Sequence, residues 1–453
     1  MKYHFIAIGG AAMHNLAIAL KLKGNKVTGS DDEIFEPSRG RLYKYGLLPK
    51  REGWNPEKLS KDIDAIILGM HAREDNPELS RAKELGIPIF SYPEFLYEQS
   101  KDKIRIVIGG SHGKTTITAM ILHVLNQLEI PTDYMVGSKL DGFEVMVKLS
   151  DAPYIVLEGD EYLSSPIDRR PKFHLYHPHI ALLSGVAWDH INVFPTFDIY
   201  LQQFLKFIDL IEEGGSLIYS VDDEHLSTIA MNARKDIQQF PYSIPEYKIN
   251  LETYRTEIEF ERKSYPLSIF GQHNLMNLEG ASRVCEQIGV KPTDFYKAIS
   301  SFTGASNRLE TIAITPQCSI FKDFAHSPSK LKATTSAVKE QFSDRALFAC
   351  MELHTFSSLN AEFLKEYRGS MDKADRAIVY FNPHTIEHKR LEPISESQVK
   401  QAFGREDLEV FTESSKLVEL LKKQDWNDKT LLLMSSGNFD GVDYQNLVKE
   451  MLD

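Results

Sequence analysis

Short apolar runs of strand length alternate with helical patterns along most of the chain. Near the start, strands are predicted at residues 3–8, 26–31, 64–70 and 87–91. Between the first two, a helix is predicted over residues 12–23, because apolar side chains recur there at helical spacing. Strands that alternate with helices in this way are typical of an open parallel sheet.

The same alternation resumes at two later points and divides the chain into three blocks. The second block has predicted strands at 104–108, 154–157, 180–185 and 216–219, followed by a β-rich stretch at 252–270. The third block has predicted strands at 319–322, 346–351, 377–380 and 430–434. We therefore expect three α/β domains in series, at residues 1–102, 103–312 and 313–453.

Composition narrows the class of protein without identifying it. With a net charge of −12 over 453 residues, binding of nucleic acid through a broad basic surface is not expected. The three cysteines, Cys285, Cys318 and Cys350, are far apart, as is typical of reduced thiols in a cytoplasmic protein. No apolar run reaches the length of a membrane span, and the short apolar start indicates a strand rather than a signal peptide.

One glycine-rich segment lies between a predicted strand and a predicted helix. It consists of Gly109, Gly110, Ser111, His112, Gly113, Lys114, Thr115 and Thr116. Glycines in this context let backbone N–H groups close around phosphate oxygens. The Lys114 ammonium can then neutralise the β- and γ-phosphates, and the Thr115 hydroxyl can bind Mg²⁺. The full Walker pattern has a glycine where Ile108 stands, so the match is Gly-x-x-Gly-Lys-Thr-Thr. The segment predicts ATP and Mg²⁺ as cofactors.

Acidic and histidine side chains follow two further strands of the second block. Glu158 closes the strand at 154–157, and carboxylates at that end of a parallel strand face the ligand crevice. A phosphate-binding loop needs such an acid to hold Mg²⁺, although a solvated turn is the alternative. Asp189 and His190 follow the strand at 180–185, a position that favours a ligand role for His190.

The first strand turns into its helix through Gly9 and Gly10. This turn matches a nucleotide-binding turn only in part, because Ala7 and Ala12 stand where a dinucleotide fingerprint prefers glycine. Asp31 follows about twenty residues later, as a ribose-binding acid would. A tight strand-to-helix turn without a ligand is the alternative.

Seven short motifs, in order and over nearly the whole chain, resemble those of the Mur ligase family. They are Ile8-Gly9-Gly10-x-x-Met13, Gly110-Ser111-His112-Gly113-Lys114-Thr115-Thr116, Glu158-x-Asp160-Glu161, Asp189-His190, Gly271-Gln272-His273-Asn274-x-x-Asn277, Asn307-Arg308-Leu309-Glu310 and Asp323-Phe324-Ala325-His326-x-Pro328. The resemblance implies an α/β protein of three domains. These would be a Rossmann-like N-terminal domain for a UDP-sugar, a central P-loop ATPase domain and a Rossmann-like C-terminal ligase domain.

The resemblance also implies an ATP-dependent ligase that forms a C–N bond. The carboxylate of UDP-N-acetylmuramate would attack the γ-phosphate of ATP, and a peptide or amino-acid amine would displace phosphate from the resulting acyl phosphate. Catalytic roles would fall to Lys114, His190, Arg308 and His326. ATP would contact Gly110, Ser111, His112, Gly113, Lys114, Thr115, Thr116, Asn274, Asn277, Arg308 and Asp323. Mg²⁺ would be held by Thr115, Glu158 and His190, and the UDP moiety by Gly9, Gly10, Ala11, Met13, Ser30 and Asp31.

Within the family, two branches compete for the identity of the acceptor. The segments at 160–162, 168–173 and 324–326 resemble the branch that recycles the tripeptide L-alanyl-γ-D-glutamyl-meso-diaminopimelate, and the branch that adds L-alanine is the alternative. Leu163, Asn307 and Ser327 depart from the family pattern on the peptide side. A nicotinamide-dependent oxidoreductase and a P-loop kinase or regulatory ATPase are more distant alternatives. A monomer or a homodimer is expected.

Overall fold

The computed structural model describes residues 1–70, 72–138, 140, 143–188, 193–304 and 309–452. The chain forms two compact units. The first comprises Met1–Pro245 with Met276–Ile299, and the second comprises residues 246–275 with 300–453. No helix in the described part of the chain is long and apolar enough to cross a membrane.

The first unit begins with a four-stranded parallel sheet of order β2-β1-β3-β4. Its strands are β1 (Lys2–Ile6), β2 (Lys26–Ser30), β3 (Ala65–Leu68) and β4 (Ile89–Ser91). The helices that follow them are α1 (Ala11–Leu22), α2 (Ser38–Lys44), α3 (Pro77–Leu85) and α4 (Tyr92–Glu98). The parallel sheet confirms the α/β alternation predicted for this block.

The predicted first strand is too long at its carboxyl end. Ala7 has a φ of +67°, in the left-handed region, and the chain leaves the sheet there. The backbone N–H groups of Ala7 and Ile8 both donate to the carbonyl of Ser30, at 2.9 and 3.1 Å. The strand-to-helix turn therefore begins two residues before Gly9, which apolar patterning alone does not indicate.

The first unit continues with a seven-stranded sheet of order β11-β10-β9-β5-β8-β6-β7, parallel except for β7. Its strands are β5 (Ile104–Gly109), β6 (Thr132–Met135), β7 (Val147–Lys148), β8 (Tyr154–Glu158), β9 (Ile180–Leu183), β10 (Ser216–Ser220) and β11 (Gln238–Tyr242). The helices are α5 (Lys114–Gln127), α6 (Phe197–Asp209), α7 (Glu224–Ala230), the part of α8 (Gln272–Gln287) from Met276 onwards, and α9 (Pro292–Ile299). Because β5 lies between β8 and β9, the carboxyl ends of these three strands meet at one edge of the sheet.

The second unit contains two sheets. The smaller is antiparallel and consists of β12 (Tyr247–Asn250), β13 (Arg255–Phe260) and β14 (Lys263–Pro266). The predicted β-rich stretch at 252–270 contains β13 and β14, whereas β12 precedes it. The larger has the order β15-β16-β20-β17-β18-β19 and is parallel except for β15. Its strands are β15 (Glu310–Ile314), β16 (Cys318–Asp323), β17 (Ala346–Leu353), β18 (Arg376–Phe381), β19 (Glu409–Phe411) and β20 (Lys429–Met434). Its helices are α10 (Pro328–Gln341), α11 (Pro383–His388), α12 (Glu396–Phe403), α13 (Ser414–Lys423) and α14 (Tyr444–Leu452).

Candidate active site

Two glycines shape the loop between β5 and α5, called here the glycine loop (residues 109–113). Gly110 and Gly113 have φ angles of +123° and +80°, a region that side chains disfavour. A Cβ on Gly110 would lie 2.2 Å from the hydroxyl oxygen of Ser184, and one on Gly113 would lie 2.4 Å from the side-chain oxygen of Asn277. Glycine is therefore required at both positions.

The end of β9 holds the glycine loop in place. The backbone N–H of Ser111 donates to the carbonyl of Gly185 at 2.9 Å, and the Ser184 hydroxyl donates to the carbonyl of His112. No side chain in the described ranges caps the N-terminus of α5, which begins at Lys114. The N–H groups of this first turn, together with the positive end of the helix dipole, are suited to bind an anion at the loop.

The Lys114 ammonium lies at the same loop and is held by two acceptors. Its Nζ donates to the carbonyl of Gly110 at 2.6 Å and to Glu161 Oε2 at 2.8 Å. Glu161 is only 1% exposed, and its other oxygen accepts a hydrogen bond from the Tyr200 hydroxyl at 3.1 Å. Lys114 and Glu161 thus form a nearly buried ion pair beside the glycine loop.

Glu158 lies at the carboxyl end of β8, opposite Ile108 of β5. Its Oε1 accepts a hydrogen bond from the Thr115 hydroxyl at 2.9 Å, and its Oε2 accepts one from the backbone N–H of Gly137 at 2.9 Å. Burial raises the pKa of the Glu158 carboxyl above its ordinary value. A cation bound here would relieve the cost of burying that charge.

The Thr115 and Glu158 oxygens fit the requirements of Mg²⁺. Two ligands at about 2.1 Å on adjacent corners of an octahedron lie roughly 3 Å apart, and these two oxygens are 2.9 Å apart. Within the described residues, no group of three or more His, Cys, Asp or Glu side chains could hold a metal ion. Among the described residues, Thr115 and Glu158 are therefore the candidate protein ligands, and water and phosphate oxygens are further ligands that Mg²⁺ usually keeps.

Three predicted residues of the site lie outside the described residues. They are Asp189 and His190, which follow β9, and Arg308, which precedes β15. The predicted metal role of His190 and the predicted γ-phosphate role of Arg308 therefore stay predictions.

The turn after β1 is tied to the end of β2 by a buried carboxylate. Asp31, 7% exposed, accepts a hydrogen bond from the backbone N–H of Gly9 at 2.7 Å. Burial is the main cause that raises the pKa of Asp31 to about 6. Ala11 is exposed at the start of α1, whereas Met13 is buried in the apolar core. As in α5, no described side chain caps the N-terminus of α1.

The remaining predicted residues lie in the second unit, where backbone groups occupy several of their polar atoms. The carboxylate of Asp323 accepts hydrogen bonds from the backbone N–H groups of Leu309 at 2.5 Å and Ala325 at 2.6 Å. The Asn274 amide donates to the carbonyl of Phe270 at 2.9 Å. His326 Nδ1 lies 2.9 Å from the carbonyl of Phe324. Asp323 thereby fixes the backbone of Leu309, the residue that follows Arg308 in the sequence.

Sequence reasoning missed two residues that contact the glycine loop or its lysine. Glu161 belongs to the motif Glu158-x-Asp160-Glu161, so its position three residues after Glu158 could have indicated a place near the site. Tyr200, in α6, carries no comparable signal, because only the fold brings its hydroxyl within 2.9 Å of Ser111 Oγ.

Comparisons with known proteins agree with this geometry. Residues 108–285 match the Mur ligase middle domain, and residues 2–103 match the catalytic domain of the Mur ligase family. The UDP-N-acetylmuramate–L-alanine ligase of Sulfurihydrogenibium sp. is 31% identical over 383 residues, which cover 83% of this chain and 82% of that protein.

Relatives with a peptide acceptor are also found. The UDP-N-acetylmuramate–L-alanyl-γ-D-glutamyl-meso-2,6-diaminoheptandioate ligase of Escherichia coli is 26% identical over 450 residues, covering 98% of this chain and 96% of that protein. The crystal structure of a murein peptide ligase from Psychrobacter arcticus has the same fold, with a TM-score of 0.62 and 23% identity. It covers 100% of this chain and 98% of that chain.

The family matches and the relatives define an ATP-dependent ligase that forms C–N bonds. The chain belongs to the Mur ligase family, whose members act in peptidoglycan synthesis. Membership of this family decides against the two alternative functions considered from the sequence, an oxidoreductase and a P-loop kinase or regulatory ATPase. The resemblance inferred from seven short motifs is thereby confirmed.

Proposed function

We propose that this chain joins the carboxylate of UDP-N-acetylmuramate to the amine of L-alanyl-γ-D-glutamyl-meso-diaminopimelate. The observation that carries the chemistry is the arrangement of Lys114, Thr115 and Glu158 around the glycine loop. Phosphoryl transfer needs positioning and charge neutralisation more than covalent chemistry, and these residue types supply both.

In this proposal, each residue has a defined task. The loop N–H groups and Lys114 bind the β- and γ-phosphates and offset the charge that develops on the transferring group. Thr115 and Glu158 would hold Mg²⁺, which when bound neutralises phosphate charge and orients the reacting oxygens. His190 would complete the metal site, Arg308 would reach the γ-phosphate, and His326 would lie near the incoming amine.

The turn after β1 would bind the UDP moiety. Gly9 and Gly10 precede the uncapped N-terminus of α1, whose N–H groups suit a diphosphate. Asp31 would accept a hydrogen bond from the ribose. We also propose a cytoplasmic location, because Cys285, Cys318 and Cys350 are free thiols.

Support for the tripeptide comes from the segment at residues 168–173, which resembles the peptide-adding branch. This segment folds back onto the turn that follows β8. The Lys172 ammonium donates to the carboxylate of Asp160, and the Lys172 backbone N–H donates to the carbonyl of Tyr162 at 2.9 Å. The backbone N–H of Phe173 donates to the carbonyl of Asp160 at 3.1 Å. The distinguishing segment is thus part of the framework around Glu158 and Glu161.

A competition assay tests the acceptor. The enzyme receives ATP, Mg²⁺ and UDP-N-acetylmuramate with equal concentrations of the tripeptide and L-alanine, and the products are separated by mass. We expect the tripeptide product to dominate. A higher kcat/KM for L-alanine would instead make the chain an alanine-adding ligase. Phosphate release that needed neither UDP-N-acetylmuramate nor an amine would contradict both assignments.

A further inference from the structure

A network of hydrogen bonds connects the Lys114 ammonium to the glycine loop through helix α6. Lys114 donates to Glu161 Oε2 at 2.8 Å, and the Tyr200 hydroxyl donates to Glu161 Oε1 at 3.1 Å. The Ser111 and Tyr200 hydroxyl oxygens are 2.9 Å apart, and Ser111 Oγ accepts a hydrogen bond from the Ala187 N–H at 2.8 Å. Because the Tyr200 proton is committed to Glu161, Ser111 donates to Tyr200.

The central members of this network are buried and fixed. Glu161 is 1% exposed and Tyr200 is 0% exposed. A buried carboxylate is stabilised only while it keeps its donors, and each Glu161 oxygen accepts from at least one donor among the described residues. Glu161 therefore cannot rotate without losing either the Tyr200 hydroxyl or the Lys114 ammonium.

The consequence for Lys114 is a restricted ammonium group. A lysine ammonium has three N–H donors on a flexible stem of four carbons. Among the described residues, one donor is committed to the Gly110 carbonyl and one to Glu161, so a third remains for a phosphate oxygen. Fixing the first two before the nucleotide arrives lowers the entropy lost when the third is used.

We propose that Glu161 and Tyr200 are positioning residues that hold Lys114 in place for phosphoryl transfer. Tyr200 acts through Glu161, and Glu161 acts through Lys114. Neither needs to touch ATP. The proposal rests on the proposed function, because it requires that Lys114 bind the phosphates of ATP.

The first test removes one hydroxyl and keeps its ring in the core. Tyr200→Phe should lower kcat by about tenfold. It should also lower the affinity for a non-hydrolysable ATP analogue, measured in the presence of Mg²⁺, by about tenfold. This is the size expected for losing one hydrogen bond to an ionised group. The matched control is Tyr176→Phe. Tyr176 is also 0% exposed, and its hydroxyl has no hydrogen-bond partner in the described part of the chain. The control should change neither quantity, and thermal unfolding should show that both variants are folded.

The second test asks whether the effect passes through the lysine. In a Lys114→Met, Glu161→Gln background, in which the ion pair is replaced without leaving a lone buried charge, Tyr200→Phe should change analogue affinity by less than about twofold. Tenfold loss in both backgrounds would overturn the positioning role, as would full affinity in Tyr200→Phe alone. Analogue binding needs no acceptor, so a failed ligation assay with intact analogue affinity would count against the proposed function instead.

Discussion

Replacing Asp31 by asparagine removes a charge that the first sheet keeps away from water. Asp31 directly follows β2 and is 7% exposed. Its two oxygens accept hydrogen bonds from the backbone N–H groups of Gly9 at 2.7 Å and Asp32 at 3.0 Å. Burial outweighs these bonds and raises the pKa of Asp31 from 3.8 to about 6. The wild-type protein is therefore destabilised wherever Asp31 is ionised.

The size and sign of the effect follow from the raised pKa. Raising the pKa of Asp31 from 3.8 to about 6 destabilises the folded state with ionised Asp31 by on the order of a few kcal/mol. Because the folded-state pKa is the higher one, the contribution of Asp31 to stability is fully present below pH ~4 and is lost as the pH rises through about 6. An asparagine avoids this cost but gives up one backbone hydrogen bond, worth about 1 kcal/mol. Asp31→Asn should therefore stabilise the first sheet by roughly 1–2 kcal/mol at pH 7.5.

Hydrogen exchange of the amides in β1 and β2 measures the stabilisation of the first sheet locally. A local measurement is needed because a multidomain chain need not unfold in one step. Variant and wild type are compared at the same pH, so that intrinsic exchange rates cancel. The stabilisation should shrink by about half or more at pH 5, where wild-type Asp31 is largely protonated. Asp102→Asn, at an exposed position, is the control and should change little. Faster exchange in Asp31→Asn at pH 7.5, or an equal difference at both pH values, would refute the reasoning.

Three further predictions concern the ligase chemistry. Lys114→Met should abolish ligation. It should also lower the free energy of unfolding by about 3–5 kcal/mol, because it leaves Glu161 buried without the lysine partner. Adding Glu161→Gln should restore stability but not ligation, and an equally stable single variant would contradict the buried pair. Glu158→Gln should raise the Mg²⁺ concentration needed for half-maximal activity at least several-fold, whereas saturation at the wild-type concentration would exclude it as a ligand. Solution scattering should show compaction with an ATP analogue and UDP-N-acetylmuramate, since predicted contacts lie on both sides of the junction near Arg308, and unchanged profiles would argue against closure.

Local patterns in the sequence predicted most of the fold. Apolar runs at 104–108 and 154–157 correspond to β5 and β8, and both strands are buried in a parallel sheet, as continuous apolar runs indicate. The acid at the end of β8 could be assigned to the site because the carboxyl ends of parallel strands share one edge. The placement of Glu158 and the glycine loop at one edge of the sheet was therefore predictable from the sequence.

Other features depend on contacts between distant parts of the chain. Tyr200 reaches the glycine loop because aromatic contacts hold α6 in place. The Tyr200 ring packs against Phe194 and Phe204, and Phe204 in turn packs against Phe173. No local pattern marks a tyrosine in such a core as a partner for Ser111. The early turn at Ala7 was missed for a different reason, since a left-handed alanine leaves no trace in hydrophobic patterning.

The charges around the glycine loop explain why the metal and the nucleotide should bind together. Two ammonium groups, from Lys114 and Lys172, face three carboxylates, from Glu158, Asp160 and Glu161. Lys114 is paired with Glu161 and Lys172 with Asp160, so the carboxylate held only by neutral donors is Glu158, the one whose pKa burial raises. When Glu158 is ionised, these five groups carry one net negative charge, which offsets part of the attraction of the loop N–H groups for free ATP. Mg²⁺ bound between Glu158, Thr115 and the phosphates would cancel charge on both sides at once. The Mg²⁺ titration of Glu158→Gln and the nucleotide affinity of the wild type therefore depend on the same buried carboxylate.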